Sequence, residues 1–154
     1  MLSKIRSKQD LEALRKELAN ERGTGKPLIA ICNGTACHPY GCAQIIEAFK
    51  QELLKQGLEN KVDLRITGCH GLCEKGPIVV IQPGDIFYQQ VKLEDVPEIL
   101  RETISKGNII DRLLHTEPTT DSKVVHRHEI PFYRKQKRNI LGNNTEINPT
   151  KIDD

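Results

Sequence analysis

Long apolar runs, tryptophan and a strong charge bias are all missing from this sequence of 154 residues. No run approaches the roughly 18 consecutive apolar residues that a membrane-spanning helix requires. The first residues contain no apolar stretch of a secretory signal peptide, so we expect a protein that stays in the cytoplasm and does not insert into a membrane. A net charge of +2 argues against a dedicated nucleic-acid-binding protein.

Cysteine is absent from both ends of the chain, because all five cysteines lie between Cys32 and Cys73. The disulfide framework of a small secreted protein usually contains an even number of cysteines spread along the chain. A clustered, odd number in a cytosolic chain points to metal or redox chemistry instead. The motif C-x-x-C is also absent, so the sequence does not predict a thioredoxin-like dithiol enzyme.

Hydrophobic periodicity predicts the element order α–β–α–β–β–β–α up to residue 107. Helices are expected over residues 7–22, 43–56 and 93–106, and the first begins with a capping box of Ser7 and Asp10. Strands are expected within 27–32, 62–67, 78–81 and 86–91. This order predicts an α/β sandwich of the thioredoxin type, with a small mixed sheet flanked by helices.

The pattern weakens after residue 107. Residues 108–131 have the composition of a polar connector, and Ile140 resembles the start of a strand. We therefore divide the chain into an N-terminal helix and linker (1–25), a thioredoxin-like domain (26–107) and an extended C-terminal tail (108–154). Because no cysteine lies beyond residue 73, we expect the tail to be dispensable for metal binding.

Four of the cysteines form two pairs that come after predicted strands. Cys32 and Cys37 are spaced C-x4-C, and Cys69 and Cys73 are spaced C-x3-C. Loops after parallel strands share one edge of an open α/β sheet, so the pairs are expected to meet. Four thiolates at one point suit zinc or an iron–sulfur cluster. Zinc ribbons favour C-x2-C, so these looser spacings favour a 2Fe–2S cluster.

Cys42 leaves the ligand set open, since Cys37 and Cys42 are also spaced C-x4-C. Cys32 ends a strand, whereas Cys42 begins a helix, where a thiol simply packs. Two histidines, His38 and His70, come directly after cysteines. A Rieske centre needs at least one residue between cysteine and histidine, so we interpret both histidines as solvated loop residues.

The segment 67–77, preceded by C-x4-C and succeeded by an apolar strand, resembles the thioredoxin-like 2Fe–2S ferredoxins. More narrowly, it is similar to the N-terminal ferredoxin domain of the NADH-binding flavoprotein subunit of NAD-linked hydrogenases and complex I-type NADH dehydrogenases. Residues 130–138 resemble the segment that opens the flavoprotein module of those subunits, and residues 143–149 resemble the next stretch of that module. The resemblance therefore implies that residues 108–154 comprise a linker and the start of a truncated flavoprotein module. The basic run at 134–138 is therefore interpreted as a solvated face or a contact with that module, not as a nucleic-acid site.

The resemblance implies one-electron transfer through a 2Fe–2S cluster with four ligands, namely Cys32, Cys37, Cys69 and Cys73. It implies three redox partners: a flavoprotein module, a second thioredoxin-like 2Fe–2S subunit and a terminal hydrogenase or dehydrogenase. Whether the chain also forms a homo-oligomer is left open. FMN and NADH belong to the downstream module, whose glycine motifs have no counterpart here, so we assign neither cofactor and no catalytic residue to this chain. The alternative hypothesis is a zinc-stabilised, non-redox module for subunit assembly.

Overall fold

The computed structural model describes residues 4–22, 25–140 and 142–150. Its helices are α1 (Lys8–Arg22), α2 (Cys42–Lys55), α3 (Val96–Glu98) and α4 (Pro131–Arg134). Its strands are β1 (Leu28–Cys32), β2 (Asp63–Thr67), β3 (Val79–Gln82), β4 (Ile86–Tyr88), β5 (His115–Thr116) and β6 (Lys123–Val124). None of the helices in these ranges has the length and apolar content needed to cross a lipid bilayer.

Four strands form a mixed sheet in the order β2-β1-β3-β4. The central strand β1 runs parallel to β2 and antiparallel to β3, and β3 and β4 form an antiparallel hairpin. The parallel register pairs Cys32 with Thr67, so β1 and β2 end side by side. This arrangement confirms the predicted α/β architecture and brings the loops after β1 and β2 to one edge of the sheet.

The two faces of the sheet are buried in two separate clusters, because successive residues of a strand point to opposite faces. On one face, Ile29 and Ile31 pack in a core with residues of α2 such as Phe49. On the other face, Ala30 and Cys32 share a second buried cluster with Ile130, a residue far along the chain. The segment after Gly107 therefore helps to close the side of the sheet that carries Cys32.

The predicted helix over 93–106 is present but irregular. A 3₁₀ turn (Leu93–Asp95), α3 and a π-helical stretch (Ile99–Ile104) succeed one another without a break. The wider π turn buries Thr103, whose hydroxyl lies 2.7 Å from the hydroxyl of Tyr88. Because apolar periodicity cannot report such a side-chain hydrogen bond, the sequence predicted a regular α-helix.

The N-terminal helix α1 begins with the predicted capping box. The backbone N–H of Asp10 donates to Ser7 Oγ over 3.1 Å, and the backbone N–H of Ser7 donates to Asp10 Oδ2 over 2.9 Å. Leu11 of this helix is 45% exposed, so α1 owes its start to local hydrogen bonds and not to burial of this apolar side chain.

The segment after Gly107 folds back onto the sheet. Ile110, Leu113 and Leu114 are buried, and the backbone N–H of Ile110 donates to the Tyr88 hydroxyl over 3.1 Å. Strands β5 and β6 form a short antiparallel hairpin that the sequence did not predict. The strand expected at Ile140 is wrong: this residue lies in a bend and is 92% exposed, while Leu141 lies outside the described residues.

Candidate metal centre

The first pair of thiols, Cys32 and Cys37, is held by the end of β1. Cys32 is the last residue of the strand, and Cys37 lies in the 3₁₀ turn immediately after it. Their Sγ atoms are 3.4 Å apart, and both residues are buried. The backbone N–H of Cys37 donates to the carbonyl of Gly34 over 2.8 Å, which fixes the turn. We call Cys32 and Cys37 the inner pair.

The second pair, Cys69 and Cys73, lies in the loop after β2 and is partly exposed. Their Sγ atoms are 3.8 Å apart. The backbone N–H of Gly71 donates to Cys69 Sγ over 3.3 Å, so this loop already turns an amide toward a sulfur. We call Cys69 and Cys73 the outer pair.

The two pairs lie against each other across two glycines. A Cβ added at Gly34, between the inner cysteines, would lie 3.0 Å from Cys69 Cβ and 3.4 Å from Cys69 Sγ. A Cβ added at Gly76, just after the outer pair, would lie 3.2 Å from Cys37 Sγ. A side chain at either position would push its neighbours back, so the glycines let the two loops approach as the strand order predicts.

The sulfur separation within each pair fits two thiolates that share a metal ion. A tetrahedral metal with metal–sulfur bonds of about 2.3 Å places two of its thiolates about 3.8 Å apart. The inner pair at 3.4 Å and the outer pair at 3.8 Å each approach one such edge. Within the described ranges, no three thiol, imidazole or carboxylate groups are gathered closely enough for a single ion. Two adjacent thiol pairs form a set of donors that would suit the two irons of a 2Fe–2S cluster.

Burial favours the neutral thiol at one cysteine of each pair, Cys37 and Cys73. It is the main cause that raises the pKa of Cys37, and the neighbouring Cys32 thiol raises it further. Burial also raises the pKa of Cys73, with the adjacent Cys69 thiol as the next cause. Metal ligation requires thiolates, so loading the site releases protons and is favoured by higher pH.

Cys42 is buried but differs from the two pairs in its contacts. Its thiol donates to the side-chain oxygen Oδ1 of Asn33 over 3.2 Å. Burial raises the pKa of this thiol too. A neutral thiol that already donates to an amide is satisfied without a metal, which supports, but does not test, the prediction that Cys42 is not a ligand.

The interpretation of both histidines as solvated is wrong for one of them. His38 is exposed, whereas His70 is fully buried. Thr67 donates its hydroxyl hydrogen to the carbonyl of Ile31, so the 2.9 Å contact between His70 Nε2 and Thr67 Oγ1 is a donation from the imidazole. Burial, helped by the guanidinium groups of Arg127 and Arg138, lowers the pKa of His70 to about 3, and the ring is neutral.

A second feature that sequence reasoning missed is the contact of the C-terminal tail with this site. Residues 130–140 and 142–147, which we call the cap, lie over the loop of the outer pair. Arg138 Nη2 donates to the carbonyl of His70 over 2.7 Å, and the amide N–H of Gly68 donates to the carbonyl of Ile147 over 3.3 Å. The resemblance of 130–138 to a known segment was the only signal that pointed to this region. These contacts argue against the expectation that the tail is dispensable.

Comparisons with known proteins agree with this geometry. The family model of the thioredoxin-like [2Fe-2S] ferredoxins matches residues 17–104. A "Ferredoxin, 2Fe-2S" of Clostridium pasteurianum is 38% identical over 77 residues, covering 50% of this chain and 76% of the relative. One of Aquifex aeolicus is 32% identical over 80 residues, covering 51% and 72%.

A solved structure shows the same fold. The wild-type thioredoxin-like [2Fe-2S] ferredoxin from Aquifex aeolicus superimposes with a TM-score of 0.54 at 27% sequence identity, covering 60% of this chain and 98% of that chain. The fold and the paired thiols define an iron–sulfur protein of the electron-carrier class. More specifically, the chain belongs to the thioredoxin-like [2Fe-2S] ferredoxin family. The matched residues include all five cysteines and end before the cap.

Proposed function

We propose that the chain carries single electrons on a 2Fe–2S cluster held by Cys32, Cys37, Cys69 and Cys73, and that it works within an NADH-linked oxidoreductase complex. Family membership supports the cluster and electron transfer. One observation carries the ligand assignment: the two thiol pairs lie in adjacent loops after β1 and β2. The Sγ atoms are 3.4 Å apart within the inner pair and 3.8 Å apart within the outer pair. When bound, the cluster supplies a couple that accepts and releases one electron.

The residues of the chain hold, orient and shield this group. Cys32 is anchored by the ladder of β1, which limits movement of the inner pair. The Gly71 amide donates to Cys69 Sγ, and such donors tune the potential of a thiolate-bound centre. The buried apolar side chains around Phe87 and Ile130 exclude water from the side of the site where the inner pair lies. These are the tasks that remain for a protein whose chemistry resides in its cofactor.

Metal analysis and spectroscopy test the cofactor. The chain, isolated or reconstituted without oxygen, is expected to contain two irons and two sulfides, to be red-brown and to bleach with dithionite. Reduction should produce the electron paramagnetic resonance signal of a single unpaired electron. A colourless protein that binds zinc and takes up no iron would favour the alternative of a non-redox assembly module.

The NADH-linked role is the finer part of the proposal. It is supported by the resemblance of residues 130–138 and 143–149 to the start of a flavoprotein module, and by the position of this segment over the outer pair. Its partners would be that flavoprotein, a second thioredoxin-like 2Fe–2S subunit and a terminal hydrogenase or dehydrogenase. FMN and NADH would bind in the flavoprotein. The clustered free thiols also support a cytoplasmic location, where thiols stay reduced.

Reduction kinetics test this role. The loaded chain should not be reduced by NADH alone, because it has no phosphate-binding glycine motif. Adding a flavoprotein subunit of the complex I type should allow NADH to bleach the cluster. Bleaching at the same rate without the flavoprotein, or saturable micromolar NADH binding by calorimetry, would contradict the assignment of NADH to a partner.

A further inference from the structure

The hydroxyl of Tyr133 is buried and, within the described structure, has no hydrogen-bond partner. A buried tyrosine hydroxyl usually finds a partner, because loss of water leaves its O–H group unsatisfied. The chain has three tyrosines, all within the described residues. The hydroxyl of Tyr88 contacts Thr103 Oγ1 and accepts from the Ile110 amide, while Tyr40 is 57% exposed. Tyr133 therefore differs from both of the others.

The ring of Tyr133 is fixed on the side of the inner pair. It packs edge-on against Phe87, with ring centroids 5.9 Å apart. It also lies against the buried cluster that contains Cys32, Cys37 and Ile130. Such packing leaves the ring few orientations and fixes where its hydroxyl lies.

On its other side, Tyr133 is connected to the loop of the outer pair. The Arg138 guanidinium lies 5.4 Å from the centre of the tyrosine ring and donates to the carbonyl of His70, the residue after Cys69. The same guanidinium lies directly against Gly71, where a Cβ would be 2.6 Å from Nη2. Tyr133 thus lies between the inner pair and the outer loop.

The hydroxyl stays protonated in this position. Burial is the main cause that raises the pKa of Tyr133; the charges of Arg138 and Arg127 oppose it, and the Cys32 and Cys69 thiols add to it. A protonated phenol acts as a hydrogen-bond donor at neutral pH.

We propose that Tyr133 donates its hydroxyl hydrogen to a sulfur of the cluster site on the side of Cys32 and Cys69. Tyr133 is then a tuning residue supplied by the cap, outside the segment that the family model matches. The inference rests on the proposed function, since the acceptor belongs to the loaded site. It explains why the hydroxyl has no partner among the described protein groups.

A donor at this place affects the two redox states unequally. Reduction adds one negative charge to the cluster and its thiolates, so a hydrogen bond to sulfur stabilises the reduced form more than the oxidised form. Removing the hydroxyl therefore makes reduction harder. The effect acts on the potential and leaves the ligand set unchanged.

Tyr133→Phe tests the proposal because it removes only the hydroxyl. At a fixed applied potential near the midpoint, we expect up to about a tenfold lower ratio of reduced to oxidised protein, equivalent to a shift of about −59 mV for a one-electron couple. Iron and sulfide content should stay the same. The sensitivity of the iron–sulfur stretching bands to D2O in resonance Raman spectra should decrease relative to the wild type.

Two tyrosine variants serve as matched controls. Tyr40→Phe changes an exposed hydroxyl and should leave potential and stability unchanged. Tyr88→Phe removes a hydrogen-bonded buried hydroxyl away from the cysteines, so it should lower the melting temperature and leave the potential unchanged. An equal potential shift in Tyr88→Phe and Tyr133→Phe would show that the shift comes from general destabilisation, and would overturn the proposal.

Labelling provides a test that does not depend on any variant loading its cluster. In wild-type protein grown with 3-fluorotyrosine, the more acidic hydroxyl is a stronger donor, and the potential should rise. An unchanged potential in this protein, or in Tyr133→Phe with an intact cluster, overturns the role of Tyr133 and leaves the proposed function standing. A wild-type chain that takes up no iron and sulfide overturns the proposed function itself.

Discussion

The two thiol pairs are built in contrasting ways. The inner pair lies at the end of a central strand, is buried, and packs in an apolar cluster with Phe87 and Ile130. The outer pair lies on a loop, is partly exposed, and is covered by the cap, whose Arg138 binds the carbonyl of His70 from 68 positions further along the chain. The sheet positions the inner pair, and Ile130 of the cap packs in the same apolar cluster. The loop of the outer pair is instead held to the cap by hydrogen bonds.

This contrast separates two tasks within one site. In the proposed function, the rigid and buried inner pair would supply half of the ligands, and its burial would protect the sulfurs from water and oxidants. The partly exposed outer pair would be the side from which electrons pass to a partner. A cap over that loop sets both the local polarity and the access of solvent, so the chain adjusts the exposed half without altering the sheet.

The largest expected effect comes from replacing thiols of the two pairs. In Cys32→Ser, the serine hydroxyl lies at the buried end of β1. The strand cannot shift to bring the oxygen within bonding distance of iron, so we expect loss of iron and colour. In Cys69→Ser, the loop is free enough for a serine oxygen to serve as a ligand, so a cluster with shifted absorption should remain. Iron and sulfide analysis with visible spectra measures both.

Cys42→Ser is the matched control for these variants. Its thiol donates to Asn33 Oδ1, a contact that a serine hydroxyl also makes, so spectrum and iron content should be unchanged. A Cys42→Ser protein that is bleached, together with an unchanged Cys37→Ser protein, would show that the wrong cysteine is assigned to the inner pair.

A smaller effect should result from weakening the cap. Ile130 is 1% exposed, so Ile130→Ala leaves a cavity beside the inner pair and should lower the free energy of unfolding by about 2–4 kcal/mol. Ile140→Ala, in the same segment but 92% exposed, should change it by less than about 0.5 kcal/mol. Urea unfolding measures both, and equal values would show that the cap does not pack on the sheet in solution.

Acid should weaken the fold through His70. Its pKa is about 3 in the folded protein against 6.5 for an ordinary imidazole, so below pH 6.5 the unfolded chain binds one more proton than the folded chain. The neutral, buried His70 ring therefore contributes fully to the free energy of unfolding above pH 6.5. This contribution is lost as the pH falls, by up to about 2 kcal/mol at pH 5. Urea unfolding from pH 7.5 to 5 should show a steeper decline for the wild type than for His70→Gln; parallel curves would contradict the burial of this ring.

The smallest effect concerns the hydrogen bond that connects the cap to the loop of the outer pair. Arg138→Gln loses a charge-assisted hydrogen bond to the His70 carbonyl and the contact with the Tyr133 ring, which together contribute about 1 kcal/mol. We expect faster release of iron to a chelator. Arg134→Gln removes a charge from an exposed neighbour and should leave the release rate unchanged. Equal rates for both variants would show that this hydrogen bond does not protect the outer pair.

The central fold and the meeting of the thiols were predictable from local patterns. The apolar run ending at Cys32 and the alternation ending at Thr67 predict two strands, and parallel strands separated by one helix end at the same edge. Paired cysteines in the loops after these strands then have to approach one another. The capping box at Ser7 was predictable for a similar reason, since both partners lie within four residues.

The cap and the burial of His70 were not predictable in this way. Ile130 comes after the polar stretch 126–129 and directly before Pro131, so no helical or strand period marks it as a core residue. His70 is buried, and one of its contacts comes from Arg138, 68 positions further along, which donates to its carbonyl. Such contacts between distant residues depend on the path of the whole chain and leave no trace in the spacing of apolar residues.

The segment after Gly107 also occupies the outer side of β4. The Phe87 amide donates to the Val125 carbonyl, the Gln89 amide donates to the Leu113 carbonyl, and Tyr88 forms a bridge with Leu114. An unpaired sheet edge is a template for aggregation or strand exchange, and here this edge is already filled by the same chain. At the opposite edge, β2 bears the charged residues Asp63 and Arg65, which discourage pairing with a foreign strand. The sheet is thereby protected at both margins against joining a copy of itself.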